Sequence, residues 1–285
     1  MKYPWNDYSG SLSPLKLAVF IALFLPALYV MVAFQQGWLG ARPVTEAIHQ
    51  IGIWTIRLIF LALAVTPLRQ VLQWPRLILV RRMIGVAAFG YGLFHLTLYT
   101  ADEAFDLAEV ATEIVLRIYL TIGFVALLGL AALAATSTDA MIRRMGARRW
   151  RNLHRLVYLI ALLAVVHFWL QSKLQVWEPT IMAGLYLWLM GYRLLAARFA
   201  VRGRLPLVWI GVLAAGATIA TAIGEAVYFH VAYHVGLWRV IALNWSLMTG
   251  VRPAVIVLAI GAAIAVAGVL RGWRSSPVGR RPRFA

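Results

Sequence analysis

The stretch ARRWRNLHRLVYLIALLAVVHFWLQ, residues 147–171, begins with a cluster of arginines and continues as an almost uninterrupted apolar run. Its apolar part, residues 154–170, approaches the about 20 residues that a helix needs to cross the hydrocarbon core of a bilayer. A histidine lies near each end of that part, His154 and His167. Ligand-capable side chains are costly inside a membrane span, so they are functional candidates where they occur. The stretch therefore predicts a transmembrane helix that carries chemistry.

The rest of the chain is equally apolar. Its 285 residues are 62% hydrophobic and 13% charged, and the mean hydropathy is +0.80. A soluble domain is usually about 45–50% apolar and about 25% charged. This composition excludes a water-soluble enzyme, a disordered protein and a nucleic-acid-binding domain. Eight stretches are predicted to span the lipid bilayer: 15–34, 51–68, 82–99, 118–135, 154–170, 178–196, 206–229 and 253–271.

The formal net charge of +17 arises from 27 basic and 10 acidic residues. Most of the basic residues lie in alternate connections between the predicted spans, which is typical of the cytoplasmic loops of membrane proteins. Both termini then lie on the cytoplasmic side, as an even number of spans requires. The chain has no cysteine, which excludes disulfides, iron–sulfur clusters and covalently attached c-type haem.

Two histidines are predicted to lie at the same depth near the outer surface. His95 in the third span and His167 in the fifth are close to the outer ends of helices that run in the same direction. Two neutral imidazoles on opposite sides of a porphyrin iron are a recurrent way of holding b-type haem in a helix bundle. The pair therefore predicts a haem site, and the alternative is that each ring only hydrogen-bonds to a neighbouring helix.

His154 is a candidate for a second redox centre near the cytoplasmic surface. It precedes His167 by 13 residues, which is about 20 Å along a helix. On a straight helix the two side chains do not share a face. At the matching depth of the third span stands Arg82 rather than a second histidine. The residues leave three alternatives for this centre: a haem with unusual ligation, a flavin, or a quinone site.

Other charged side chains allow two interpretations each. Arg57, inside the second span, either pairs with a haem propionate or quinone carbonyl, or extends its head group to the surface. The outer connection after the third span is acidic, and is either a solvated loop or a docking patch for an external partner. His230 and His234 are four residues apart and follow Glu225, a spacing seen in metal sites but unremarkable at a membrane interface.

Several segments, taken in order, resemble the MsrQ family. MsrQ proteins are the haem-binding membrane subunits of the MsrPQ protein-methionine-sulfoxide reductases, within the ferric-reductase-like transmembrane superfamily. The likeness runs from about residue 12 to residue 200. It is carried by RRMIG (81–85), HLTLY (95–99), RIYLTIG (117–123), TSTDAM (136–141), GARRWRNLHRLVY (146–158) and the region of His167.

The resemblance implies a role in electron transfer at the bacterial inner membrane. MsrQ proteins take electrons from the quinone pool or a cytosolic flavin reductase and pass them through b-type haem to a periplasmic molybdopterin enzyme, MsrP. That enzyme repairs oxidised methionines, which otherwise disrupt protein packing. The resemblance assigns haem binding to His95, His154 and His167. It also implies FMN, for which the sequence offers no local phosphate-binding signature.

We therefore predict an all-α integral membrane protein with a six-helix ferric-reductase-like haem bundle and two extra C-terminal helices. Residues 1–204 form the predicted haem-binding core, and residues 205–285 form an extension with no function implied by the resemblance. The chain is expected to be a non-catalytic electron-transfer subunit, because it has no large outer domain and no thiol to attack a sulfoxide. The alternatives are a stand-alone transmembrane ferric or oxygen reductase and, less favoured because no inverted repeat is evident, a proton-coupled transporter.

Overall fold

A computed structural model describes residues 3–6, 10–172, 175–201, 203–246 and 250–275. The basic tail after residue 275 and the first two residues, which contribute to the predicted charge asymmetry, lie outside the described residues. Within the described part the elements are helices and two isolated bridges, and no strand is present. The predicted all-α fold is confirmed.

Eight helical segments of this part are long and apolar enough to cross a membrane, as the sequence predicts. Large apolar side chains such as Leu128, Leu159 and Ile219 remain exposed along them. Such a surface suits contact with lipid, since soluble monomers rarely expose large apolar patches. The chain is a multi-pass integral membrane protein, and its orientation stays a prediction. The segments are Pro14–Gln35, Pro43–Val71, Pro75–Asp102, Ile118–Ala135, Ala147–Gln171, Trp177–Phe199, Leu207–Tyr233 and Pro253–Arg271.

The helices group into two compact units. The first lies within Met1–Leu63 and Ile78–Lys173, and the second within Ala64–Leu77 and Leu174–Ala285. The sixth span thus groups with the last two spans. The predicted division at residue 204 concerns haem binding and stays a prediction. The helices are α1 Pro14–Ala22, α2 Leu25–Gln35, α3 Pro43–Val71, α4 Arg81–Asp102, α5 Leu107–Leu116, α6 Ile118–Ala135, α7 Asp139–Met145, α8 Ala147–His154, α9 Leu156–Gln171, α10 Trp177–Phe199, α11 Leu207–Tyr233, α12 Leu237–Leu243 and α13 Pro253–Ser275; a short 3₁₀ helix covers Pro75–Val80.

The first span is interrupted between α1 and α2 by a side chain from α4. The Tyr91 hydroxyl donates to the Leu23 carbonyl at 2.7 Å and accepts from the Ala27 amide at 3.1 Å. It therefore replaces the direct bond that an α-helix would make between these two groups. Pro26, at the start of α2, has no amide hydrogen and favours the same break. The interruption joins the first span to α4 within the first unit.

Helices α6 and α9 pack closely in the first unit because glycine lies at their contact. A Cβ atom on Gly129 would come within 2.8 Å of the Ile160 side chain, so Ile160 would have to move if another residue type stood there. Ala126, Leu130 and Val165 are buried beside this contact. Small residues commonly permit such approaches between membrane helices. The close packing brings the C-terminal half of α9, which carries His167, against the first turns of α6.

Candidate functional site

The structure brings His95 on α4 and His167 on α9 together. Their ring centroids are 6.5 Å apart, and the ring planes are inclined at 81°. A metal–imidazole bond is about 2.0–2.1 Å, and the ring centre lies roughly 1 Å behind the bonded nitrogen. Two imidazoles on opposite sides of one metal ion therefore have centroids about 6–6.5 Å apart. The separation fits a single iron held from both sides.

Both histidine rings are anchored through the same nitrogen. The Nδ1 atom of His95 lies 2.8 Å from the carbonyl oxygen of Ile48 on α3, and that of His167 lies 2.7 Å from the carbonyl oxygen of Tyr119 on α6. A carbonyl only accepts hydrogen bonds, so each Nδ1 carries the proton and donates. The lone pair of each ring then lies on Nε2. Metal-binding histidines are commonly oriented by this kind of second bond.

His154 lies at the far end of the same membrane segment, in a different environment. Its ring stacks on that of Trp150 with centroids 3.9 Å apart, and its Nδ1 lies 3.1 Å from the Trp150 carbonyl oxygen. Its Nε2 lies 3.3 Å from the Ser137 hydroxyl. The helix is interrupted after it, at Arg155. Both ring nitrogens therefore have protein partners, and a haem role for His154 stays a prediction.

The two predicted arginines also have protein partners. Arg82 pairs with Asp139 at the start of α7 at 2.7 Å, and both side chains are largely exposed. An exposed pair of this kind usually contributes about 0–1 kcal/mol. The guanidinium of Arg57 lies over the Trp54 ring, 4.9 Å from its centroid. Cofactor binding by either arginine stays a prediction.

A buried polar cluster in the second unit was not foreseen from the sequence. Glu225 on α11 is 3% exposed and accepts a hydrogen bond from Arg252 at 2.8 Å. Asn244, which follows α12, is also buried, and its side-chain amide donates to the Val240 carbonyl at 3.1 Å. A lone carboxylate within an apolar span signals that a partner exists. The sequence could not identify Arg252, which is 27 residues away and precedes α13.

The histidines near this cluster do not assemble with it. The Nδ1 of His230 lies 3.0 Å from the Val235 carbonyl oxygen, whereas His234 caps α11 in a left-handed conformation with φ of 57°. The chain has therefore left the helix where four-residue spacing would place His234 above His230. Among the described residues, no group of three or more histidine, aspartate or glutamate side chains could hold a metal ion.

Comparison with known proteins defines the class. The family of ferric reductase like transmembrane components matches residues 51–165, which include all of α4 and most of α9. Together with the eight apolar helical segments, this match shows that the chain is a transmembrane protein with a ferric-reductase-like domain. No solved structure matches the chain.

Individual relatives specify the family. Proteins described as the protein-methionine-sulfoxide reductase heme-binding subunit MsrQ occur in Azospira oryzae, Rhodospirillum rubrum and Xanthomonas campestris. The first is 39% identical over 197 residues, covering 68% of this chain and 84% of the relative. The second is 41% identical over 193 residues, covering 67% of this chain and 93% of the relative. The third is 43% identical over 192 residues, covering 65% of this chain and 88% of the relative. The chain belongs to the MsrQ family.

Proposed function

We propose that this protein is the haem-binding, electron-transferring subunit of a protein-methionine-sulfoxide reductase, with His95 and His167 holding one b-type haem iron between them. The observation that carries the proposal is the pair of adjacent imidazoles, with ring centroids 6.5 Å apart and each Nδ1 engaged by a backbone carbonyl. Family membership supports it, because the relatives are described as heme-binding subunits. A bound haem supplies a one-electron carrier that no protein side chain replaces.

In the proposed function the chain orients its cofactors and does not bind methionine sulfoxide. The donor is the quinone pool or a cytosolic flavin reductase, with FMN as a further candidate cofactor, and the acceptor is a periplasmic, MsrP-like molybdopterin reductase. His154 is the candidate ligand of a second centre nearer the cytoplasm, with Arg82 beside it, and Arg57 is the candidate partner for a propionate or a quinone carbonyl. The protein is proposed to lie in the bacterial inner membrane with both termini in the cytoplasm.

The first test is a reduced-minus-oxidised absorption spectrum of the purified full chain. We expect Soret and α bands typical of b-type haem with two imidazole ligands, and a stoichiometry of at least one haem per chain. A stoichiometry of two would support a second centre at His154. A protein without these bands would contradict the electron-transfer proposal and favour transport.

We further propose that the reductase partner docks on the acidic connection between α4 and α6. Asp106 caps the start of its helix α5, and the Asp106 carboxylate accepts hydrogen bonds from the Ala108 and Glu109 amides. At its other end Arg117 pairs with Glu113 and bonds to the Tyr119 hydroxyl. The Tyr119 carbonyl contacts His167, so this connection adjoins the candidate haem site. We name Asp102, Glu103, Asp106, Glu109 and Glu113 the acidic patch.

The chemistry of the acidic patch predicts a partner with a basic surface around its redox centre. Asp102, Asp106 and Glu109 are exposed, and opposite charge on a partner accelerates encounter and fixes its orientation. A helix that rests on anionic lipid instead usually has lysine and arginine on its polar face, whereas α5 carries glutamates. These charges therefore favour a protein partner over the lipid surface.

Neutralising the patch should slow electron transfer to the partner. With Asp102→Asn, Asp106→Asn and Glu109→Gln combined, we expect association at low ionic strength to fall about tenfold and to lose most of its salt dependence, because steering accelerates association by about 10–1,000-fold. Asparagine retains helix capping at position 106. Stopped-flow oxidation of the reduced protein by its reductase would measure this, with Glu178→Gln, at an acidic residue on α10 outside the patch, as a control. Unchanged rates at low ionic strength would contradict docking on this surface.

A further inference from the structure

Each of the two facing imidazoles lies against a glycine of the neighbouring helix. A Cβ atom on Gly123 would lie 2.7 Å from Nδ1, 2.8 Å from Cε1 and 3.1 Å from Cγ of His167. A Cβ atom on Gly52 would lie 3.0 Å from both Nδ1 and Cε1 of His95. Non-bonded carbon atoms normally approach to about 3.5–4.0 Å. The rings therefore occupy space that any other residue type would fill.

The two glycines have the same relation to the carbonyls that anchor the rings. His95 contacts the carbonyl of Ile48 and Gly52 follows four residues later; His167 contacts the carbonyl of Tyr119 and Gly123 follows four residues later. In an α-helix the carbonyl of residue i accepts the amide hydrogen of residue i+4. Side chains tilt towards the N-terminus, so the Cβ of residue i+4 covers that carbonyl. Because glycine at i+4 has no Cβ, the second lone pair of that carbonyl oxygen stays accessible to the histidine ring.

The same arrangement, an exposed carbonyl with glycine four residues later, thus occurs on α3 and on α6. On each helix it fixes the anchored nitrogen and the ring plane of one histidine. The resulting planes are inclined at 81°. The plane of an axial imidazole determines which of the two iron dπ orbitals it raises in energy. Parallel planes raise the same orbital and separate the pair, whereas crossed planes raise both and leave them nearly equal. Ligand orientation is one of the means by which a protein tunes a haem.

We propose that Gly52 and Gly123 are positioning residues that set crossed imidazole planes at the haem, and that the ferric haem is consequently a low-spin centre of very large g anisotropy. This inference rests on the proposed function, because it assumes that His95 and His167 share one iron. Gly123 is the more restrictive position, since its Cβ would lie closer than 3.0 Å to two atoms of the His167 ring, whereas that of Gly52 would come no closer than 3.0 Å to His95.

Electron paramagnetic resonance of the oxidised, haem-loaded full chain tests the proposal. The His154→Ala background leaves only the signal of the His95–His167 site. The parent protein should show the single, strongly shifted low-field feature of crossed imidazoles. Gly123→Ala should lose that feature in favour of an ordinary rhombic low-spin or a high-spin signal. Gly52→Ala, with the milder overlap, should shift the low-field feature less.

Gly90→Ala is the matched control, because Gly90 lies on α4 with His95 but a Cβ atom there would have no neighbour within 4 Å. We expect its spectrum to equal that of the parent. A parent protein that binds no haem contradicts the proposed function. A parent that binds haem with a rhombic signal overturns the crossed planes and leaves haem binding intact. If Gly123→Ala fails to fold, an unchanged feature in Gly52→Ala still overturns the positioning role.

Discussion

Alanine in place of either His95 or His167 is expected to remove most of one haem from the purified protein. The two rings are 6.5 Å apart, the separation of two ligands on one iron, so losing either ligand breaks the same axial pair. Disturbing only the groups around a metal ligand commonly costs about 10–100-fold in affinity, and loss of the ligand itself should cost at least as much. Haem content by pyridine haemochrome, normalised to protein, would measure the loss.

The double variant distinguishes a shared iron from two separate ones. If both histidines hold one haem, His95→Ala combined with His167→Ala loses no more haem than either single variant, because residues acting on one site are not additive. If each holds its own haem, the losses add. His49→Ala is the control, since His49 is exposed and adjoins the anchoring residue Ile48. Full haem with an unchanged spectrum in both single variants would contradict the assignment.

The long-range features of this fold follow from periodicity and composition. Eight apolar stretches were enough to predict eight spans, because only a helix satisfies its own backbone in a lipid environment. Depth alone predicted that His95 and His167 could meet, and the structure brings them together. Helix ends were less predictable: α3 begins at Pro43 and continues past Pro67 to Val71, beyond both limits of the apolar stretch at 51–68. Hydropathy marks the lipid-embedded part of a helix and not its polar ends.

The histidine rings are held by backbone carbonyls and glycines, whose roles cannot be predicted from the type of residue. The carbonyls of Ile48 and Tyr119 belong to residues whose side chains indicate nothing about histidine. Glycine is common in membrane helices, so Gly52 and Gly123 could not be distinguished before the rings were seen against them. The Tyr91 hydroxyl in the break of the first span is similar, because tyrosine predicts no particular backbone partner. Tertiary contact alone identifies these residues.

Removal of Arg252 is expected to destabilise the second unit strongly. Its guanidinium pairs with a carboxylate that is only 3% exposed, and the Arg252 side chain itself is 21% exposed. Leucine at this position would leave Glu225 buried without its cation. Breaking a buried ion pair in this way typically costs about 3–5 kcal/mol, mostly through the charge left behind. Denaturant unfolding in detergent micelles, followed by tryptophan fluorescence, would measure the difference in free energy of unfolding.

Two further variants distinguish the cost of leaving the Glu225 carboxylate unpaired from the cost of losing the packing of the Arg252 side chain. Arg239→Leu removes an arginine that is exposed and should change stability by no more than about 0.5 kcal/mol. Glu225→Gln combined with Arg252→Leu removes both charges and leaves a neutral amide in place of the carboxylate. Because neutral replacements of buried pairs are often tolerated, we expect it to recover most of the lost stability. A double variant as unstable as Arg252→Leu would show that packing of the arginine, and not its charge, holds α11 to the start of α13.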